Sequence, residues 1–349
     1  MQGVVEASTG SSTHGFDASE IRRRYGSAFR PKPWIYWTDM LGSAAIGWTA
    51  FGAAASEPLG SPAFVVFLFI AIFAHLRSVL FIHELTHLPP GAVPGFEVGW
   101  HIAVGAPLQV PSLMYVGSHN DHHKRSGFGT KEDPEYAPLA RYSRWRLVAF
   151  VLNVAFVPLV LPLRWGVLAP LSYVCPPLRK LVVERLSTLG INPEYRRPMP
   201  KGSAAARWMR QEMALAAVFW LAVAGWFLGI IGFQLWLTWV LMTSGILLIN
   251  QVRTLAAHRY ERDGSACGTL DQVLDSINLR GIPILTALVA PVGLRYHALH
   301  HFLPAVPYHS LGTLHRRLVR ELPQEAPYHA TEAEGVLAAV KHLWVKAPA

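Results

Sequence analysis

Charged residues are scarce in this chain, and their scarcity excludes most classes of soluble protein. Asp, Glu, Lys and Arg make up only 15% of the 349 residues, while 52% are hydrophobic. A soluble domain usually has about 25% charged residues. The twelve tryptophans add to the contrast, because indole rings favour the membrane–water interface. The composition therefore indicates an integral membrane protein.

Cysteine is also rare, which excludes a disulfide framework and a zinc ribbon. Cys175 and Cys267 lie far apart and in no metal-binding spacing. No secretory signal is expected, since the polar residues 1–17 contain no apolar run. We expect a disordered cytoplasmic N-terminal tail over residues 1–30, one membrane domain over residues 31–322, and a partly helical C-terminal tail over residues 323–349.

The net charge of +9 has two interpretations. A basic chain can bind nucleic acid, but Lys and Arg also flank membrane spans on the cytoplasmic side. We favour the second interpretation and expect no nucleic-acid partner, because the hydropathy of the sequence independently predicts membrane spans.

A span needs about 20 largely apolar residues, and four stretches qualify: residues 37–56, 62–82, 213–231 and 233–249. The short loops within each pair carry no Lys or Arg, whereas the outer connections are basic. The positive-inside rule then predicts two helical hairpins below a cytoplasmic helical cap, with both termini cytoplasmic. Residues 147–178 are apolar but interrupted by prolines and Arg164. We expect them to lie on the membrane interface or dip into it.

Histidines supply the strongest motif. His83 and His87 are four residues apart, so on a helix they share one face. Two further groups have the spacing H-x-x-H-H, and one more histidine follows the fourth span. In each H-x-x-H-H group, the adjacent pair points in directions about 100° apart, so one group can reach two ions. The candidate ligands are His83, His87, His119, His122, His123, His258, His297, His300 and His301.

Nine imidazoles are too many for one metal ion, but two ions can share them. Imidazole binds iron, copper, zinc and nickel, and iron is the choice for oxidation because zinc has no redox activity. Metal-bound histidines usually donate their second N–H to a carboxylate or carbonyl. The candidates for such supporting contacts are Glu84, Asp121, Asp133, Glu135, Asp275 and Asn250.

These motifs resemble the membrane-bound fatty-acid desaturase and hydroxylase superfamily. Residues 122–134, with Lys124-Arg125 and Glu132-Asp133-Pro134, are similar to that superfamily's second histidine box. Residues 300–311, with Phe302-Leu303-Pro304, are similar to its third box. His258 resembles the extra ligand of the acyl-CoA desaturase branch, although Thr254 stands where that branch has asparagine and Asn250 lies one turn further back.

The resemblance implies a di-iron oxidoreductase that uses dioxygen to introduce a double bond into the acyl chain of a lipid or fatty acid. Hydroxylation or ketolation of a lipid or carotenoid is the alternative. Electrons must come from a partner such as a ferredoxin or a cytochrome b5-type protein, because the chain has no flavin, nicotinamide or iron–sulfur signature. We expect the protein to lie in a bacterial cytoplasmic membrane.

Two other functional classes remain open. The five residues from His83 to His87 match the zinc-protease motif H-E-x-x-H, with Glu84 as general base. This interpretation leaves seven of the nine candidate histidines without a role. A non-catalytic metal- or lipid-binding membrane protein is the third possibility.

Overall fold

Helices account for most of the chain in the computed structural model, which describes residues 17–265 and 267–349. The α-helices are α1 (Ala18–Arg24), α2 (Pro33–Ser56), α3 (Pro62–Val79), α4 (Phe81–His87), α5 (Phe96–Trp100), α6 (Ser118–His122), α7 (Arg144–Leu152), α8 (Val157–Leu163), α9 (Ala169–Ser172), α10 (Pro176–Leu186), α11 (Gly202–Phe227), α12 (Phe233–Leu255), α13 (Thr269–Asp275), α14 (Pro283–Val289), α15 (His297–Phe302), α16 (Tyr308–Glu321) and α17 (Val336–Lys346).

Shorter elements complete the description. Short 3-10 helices are Gly26–Phe29, Ser112–Met114, Leu139–Arg141, Asn153–Phe156 and Pro327–Thr331, and π-helical turns are His101–Gly105 and Arg164–Leu168. Two strands, β1 (Asn278–Leu279) and β2 (Glu332–Ala333), pair in parallel. Within the described residues, this short ladder and isolated bridges are the departures from the expected all-helical fold.

The two predicted helical hairpins correspond to the consecutive helices α2–α3 and α11–α12, and their arrangement as hairpins in a membrane stays a prediction. The side chain of Ser61 accepts a hydrogen bond from Phe64 N and so caps the start of α3. Gln234, at the start of α12, donates from Nε2 to the carbonyl oxygens of Ala55 and Glu57, at 2.8 and 2.5 Å. The turns of the two hairpins therefore lie at the same end of the molecule.

Three helical stretches are long and apolar enough to cross a membrane by length and composition: Pro62–His87, Arg144–Ser172 and Phe233–Leu255. The first and third include α3 and α12, which were predicted as spans. The other two predicted spans, α2 and α11, are not among the three. Helix α11 begins at Gly202, well before the predicted start at residue 213, and its first turns are polar. Four spans therefore remain a prediction.

The apolar stretch Arg144–Ser172 first runs along α12, in the direction opposite to that helix. Near the end of α12, Gln251 donates from Nε2 to Phe150 O at 3.2 Å. Two turns earlier in α12, Ser244 donates from Oγ to Ala155 O at 2.8 Å. The stretch thus moves towards the hairpin turns as it proceeds from residue 150 to residue 155.

The same stretch then returns along α11. The indole of Trp220 donates to Gly166 O at 3.0 Å, and the Tyr173 hydroxyl donates to Glu212 at 2.6 Å. Because Glu212 precedes Trp220 by two turns of α11, the chain moves back towards the start of that helix. The path is an inward dip and a return, and we call Arg144–Ser172 the dipping segment. That residues 147–178 lie on the membrane interface or dip into it stays a prediction, because the segment is also long and apolar enough to cross.

Both predicted tails contain ordered structure. Helix α1 lies within the stretch predicted to be disordered, and its Ile21 packs with Leu318 of α16 in one hydrophobic cluster. Residues 1–16 lie outside the described part of the chain. The region after residue 322 contributes β2, which pairs with β1, and α17, whose Leu343 is buried. Helix α17 agrees with the partly helical C-terminal tail that was expected. Apolar burial explains the order at both ends, since these residues complete cores formed by the central domain.

Candidate metal centre

Three of the nine candidate histidines lie just beyond the ends of long helices. Helix α4, with His83 and His87, follows α3 after the single residue Leu80. His258 comes three residues after the end of α12 at Leu255. The other six histidines lie on α6 and α15 or cap them. The two hairpins thus deliver ligands to the end of the molecule opposite their turns.

The histidines form two groups of four. In each group, the nitrogens that could bind a metal ion lie within 4.8 Å of one another. The groups are His83, His87, His119 and His300, and His122, His258, His297 and His301. The ninth residue, His123, adjoins the first group, with its Nε2 at 3.1 Å from His119 Nε2 and 3.0 Å from His300 Nε2.

Spacing and burial within these groups fit metal binding. Two nitrogens that bind one ion at about 2.1 Å and at right angles are about 3 Å apart. In the second group, His297 Nε2 lies 2.9 Å from His258 Nε2 and 3.1 Å from His301 Nε2. Both ring nitrogens of His83 and Nε2 of His87 are buried without a hydrogen-bond partner among the described residues. A bound ion would satisfy one nitrogen of each ring, and such atoms are costly to bury unpaired.

Burial favours the neutral form of eight of the nine imidazoles, because it lowers their pKa. Burial, aided by neighbouring imidazoles, lowers the pKa of His119, His123 and His297 well below ordinary values. Neutral imidazole is the form that coordinates an ion. His122 differs from the others. Burial disfavours its protonated form, but the adjacent Asp133 carboxylate stabilises that form more strongly and raises the pKa of His122.

Two carboxylates on one loop hold histidines of α6. Asp133 lies 2.8 Å from His122 Nδ1 and also accepts hydrogen bonds from the backbone N–H groups of Gly129 and Glu135, each at 2.9 Å. Glu135 lies 2.7 Å from His119 Nδ1, and burial raises the pKa of its carboxyl to about 7. Both contacts leave Nε2 as the nitrogen available to an ion.

A third carboxylate supports His258. Asp275 Oδ2 lies 3.3 Å from His258 Nδ1, and the hydroxyl of Ser276 lies 3.2 Å from the same nitrogen. The Tyr136 hydroxyl donates to the other Asp275 oxygen at 3.0 Å. Of the five acidic residues expected to contact histidines in this way, Asp133, Glu135 and Asp275 thus do so.

The other three candidates for supporting contacts have different partners. Glu84 accepts hydrogen bonds from the Tyr36 hydroxyl at 2.6 Å and from Tyr308 N at 3.1 Å, and its nearer oxygen is 3.7 Å from His83 Nδ1. Asp121 bonds to Lys124 and Tyr195 rather than to a histidine. The expectation for Asp121 was therefore wrong, because its side chain points away from the α6 histidines.

The sixth candidate, Asn250, faces a cavity beside the histidines. Its Oδ1 accepts a hydrogen bond from Arg253 Nε at 2.9 Å. Asn250 lines that cavity, of about 90 Å³, together with His83, His258 and His297. Asn250 therefore contacts the space beside the site rather than a histidine.

Sequence reasoning missed several side chains near the histidines. Tyr115 donates to Glu135 at 2.8 Å, and Gln272 donates from Nε2 to His122 O at 3.3 Å. Arg253 lines the same cavity as Asn250. Tyr115 could have been found, since it precedes His119 by one helical turn. Nothing in the local sequence indicates the positions of Gln272 and Arg253.

Comparison with known proteins adds a family and a relative. The family model described as fatty acid desaturase matches residues 59–332. A protein named ceramide hydroxylase, from Caulobacter vibrioides (strain NA1000 / CB15N), is 41% identical over 317 residues, which cover 90% of this chain and 89% of the relative. No solved structure matches the chain.

Proposed function

Because the chain belongs to the fatty acid desaturase family, we propose that it is a dioxygen-dependent oxidoreductase that hydroxylates a ceramide-like lipid. Two histidine groups, each with its metal-binding nitrogens within 4.8 Å, carry the proposal. The 41% identity to a ceramide hydroxylase favours hydroxylation over the desaturation expected from the sequence.

The nine histidines would hold two iron ions. One ion would be bound by His83, His87, His119, His123 and His300, and the other by His122, His258, His297 and His301. Bound iron supplies the oxidative chemistry at an unactivated C–H bond, which side chains cannot perform. The protein's own part is to fix the rings: Asp133, Glu135 and Asp275 hold Nδ1 of three of them.

The reaction needs both a lipid substrate and an electron donor. The cavity beside the histidines adjoins apolar space between the helices, which suits a lipid. Two electrons per turnover must come from a ferredoxin or a cytochrome b5-type protein. The net charge of +9 favours an acidic donor. We place the protein in a bacterial cytoplasmic membrane, with the histidines and both termini on the cytoplasmic side.

Lipid mass spectrometry tests the proposal. Cells that carry the gene should contain a lipid with one oxygen atom more than in cells that lack it. Complementation with the wild type should restore this product, and His300→Ala should not. A product that has instead lost two hydrogen atoms would favour desaturation, for which the family match is the supporting observation. Identical lipids in all strains would refute both.

The zinc-protease alternative gains no support from Glu84. A general base must reach a metal-bound water, whereas Glu84 is engaged by Tyr36 and Tyr308. The two classes differ in metal content, since a protease needs one zinc ion and the proposed enzyme two irons. Elemental analysis of the purified protein separates them. Dioxygen consumption with a reductant would exclude the non-catalytic alternative.

A further inference from the structure

The cavity beside the histidines has a polar wall at the end of α12. Asn250, Arg253 and Thr254 line it, and His83 and His297 line it as well. The three α12 residues are joined: Arg253 donates from Nε to Asn250 Oδ1 at 2.9 Å and from Nη2 to Thr254 Oγ1 at 3.3 Å. The guanidinium is therefore held in place by its neighbours.

Arg253 retains hydrogen-bonding capacity for a ligand. A guanidinium has five N–H donors, and both of the bonds named above go to uncharged oxygens. Within residues 17–265 and 267–349, no carboxylate forms an ion pair with Arg253, and its Nη1 has no hydrogen-bond partner. This cavity thus presents an oriented cation, with spare donors, to whatever occupies it.

Beyond this wall the space becomes apolar. A second cavity of about 90 Å³ shares Leu80, Ile82, Leu189 and Asn250 with the first. Its other walls are mainly aliphatic, with Val79 and Leu161 among them. A larger cavity of about 840 Å³ shares Trp239 with the second. Polar groups therefore lie beside the histidines, and hydrocarbon surroundings lie further away.

We propose that Arg253, held by Asn250 and Thr254, binds the amide carbonyl oxygen of the lipid, so that the oxidised carbon lies within a few bonds of that amide. This inference rests on the proposed function and names its specificity residue. The hydrocarbon chain then occupies the apolar cavities along α12. Arg253, His83 and His297 line the same cavity of about 90 Å³, so an oxygen bound at Arg253 and a carbon beside the two histidines lie close together.

A binding experiment with two ligands and matched variants tests the inference. Binding is measured with the purified, metal-loaded protein in nanodiscs, without an electron donor. One ligand is a ceramide, and the other is a long-chain diol of the same sphingoid length that lacks the amide. Arg253→Met should weaken ceramide binding about 10- to 100-fold, because a hydrogen bond to a charged group is lost. Diol binding should change less than about threefold.

Two control variants and one measurement in cells complete the test. Arg253→Lys should restore part of the ceramide affinity, since it keeps a cationic donor. Arg210→Met, which removes an exposed cation of α11, should change neither affinity. In cells, Arg253→Met should spread oxidation to carbons further from the amide, with iron content unchanged.

Several outcomes overturn the inference: equal loss of affinity for both ligands, no loss for ceramide, or loss of iron from Arg253→Met. Because binding is measured without turnover, its result is separate from the identity of the product. A double bond in place of a hydroxyl would refute hydroxylation and would not alter the ligand comparison.

Discussion

Single carboxylates determine which nitrogen of the α6 histidines faces the candidate metal centre. Asp133 and Glu135 lie at Nδ1 of His122 and His119, so Nε2 of each ring is directed towards the neighbouring histidines. Asp121 lies between these histidines in sequence but bonds to Lys124 and Tyr195. The two aspartates therefore form a matched pair for experiment.

Asp133→Asn should lower iron affinity about 10- to 100-fold, because an amide supports the imidazole less well than a carboxylate. Asp121→Asn should leave iron binding unchanged, although both substitutions remove one negative charge. Elemental analysis after dialysis against a graded chelator measures the difference. Equal iron retention in the two variants would contradict the supporting role of Asp133.

The ligand assignment itself is tested at His123 and His300. Their Nε2 atoms are 3.0 Å apart, so each should contribute to the same iron site. His123→Ala and His300→Ala should each lower iron content and abolish hydroxylation, while the protein remains in the membrane. His342→Ala, which alters an exposed histidine beside Glu261, serves as control. Two irons per chain and full turnover in both test variants would refute the assignment.

At the scale of elements, the segment after α10 braces the loop that carries these carboxylates. Pro134 O, between Asp133 and Glu135, accepts hydrogen bonds from Ile191 N at 2.8 Å and Asn192 N at 3.1 Å. A Cβ atom added at Gly190 would lie 2.3 Å from the same oxygen. Only glycine fits there without moving the loop.

Gly190→Ala should therefore displace the backbone at Pro134 and lower iron occupancy, even though Gly190 contacts no histidine. Gly42→Ala, on an open face of α2 where nothing lies within 4 Å, is the control. It should leave iron unchanged and stabilise the helix by up to about 1 kcal/mol. Iron per chain and thermal unfolding measure the two effects. A Gly190→Ala protein with full iron occupancy would show that the loop can move without consequence.

At the scale of the whole molecule, the dipping segment decides the topology. Its hydrogen bonds to α12 and then to α11 bring its two ends to the same end of these helices. Arg164, within this segment, is buried with Glu212, at 2.7 Å. A buried charge is tolerated only with such a partner. Residues on either side of the segment should therefore lie on one face of the membrane.

Cysteine labelling with a membrane-impermeant maleimide tests this topology. Cys175 is tested in a Cys267→Ser protein, and Lys131→Cys in a protein that carries both Cys175→Ser and Cys267→Ser; both sites should react in inside-out vesicles only. A cysteine at the exposed Ile230, in the turn between α11 and α12, should react only from the opposite side. Labelling of Cys175 together with residue 230 would mean that Arg144–Ser172 crosses the membrane.

The sequence alone determined what depends on local helical geometry. The spacing of His83 and His87, and of the two H-x-x-H-H groups, identified nine histidines that the fold does bring together. Two of the predicted spans, α3 and α12, also follow from apolar runs of sufficient length. Such patterns act over one or two helical turns, so they can be read without knowledge of distant contacts.

Only the tertiary structure decided which distant groups meet. Asp133 supports a histidine and Asp121 does not, because the loop brought back by the Pro134 contacts sets the direction of the carboxylates. An apolar stretch such as Arg144–Ser172 has the same composition whether it crosses or returns, and it is its pairing with α12 and α11 that favours a return. The place of Arg253 beside the histidines likewise follows from how the end of α12 packs, which local sequence does not encode.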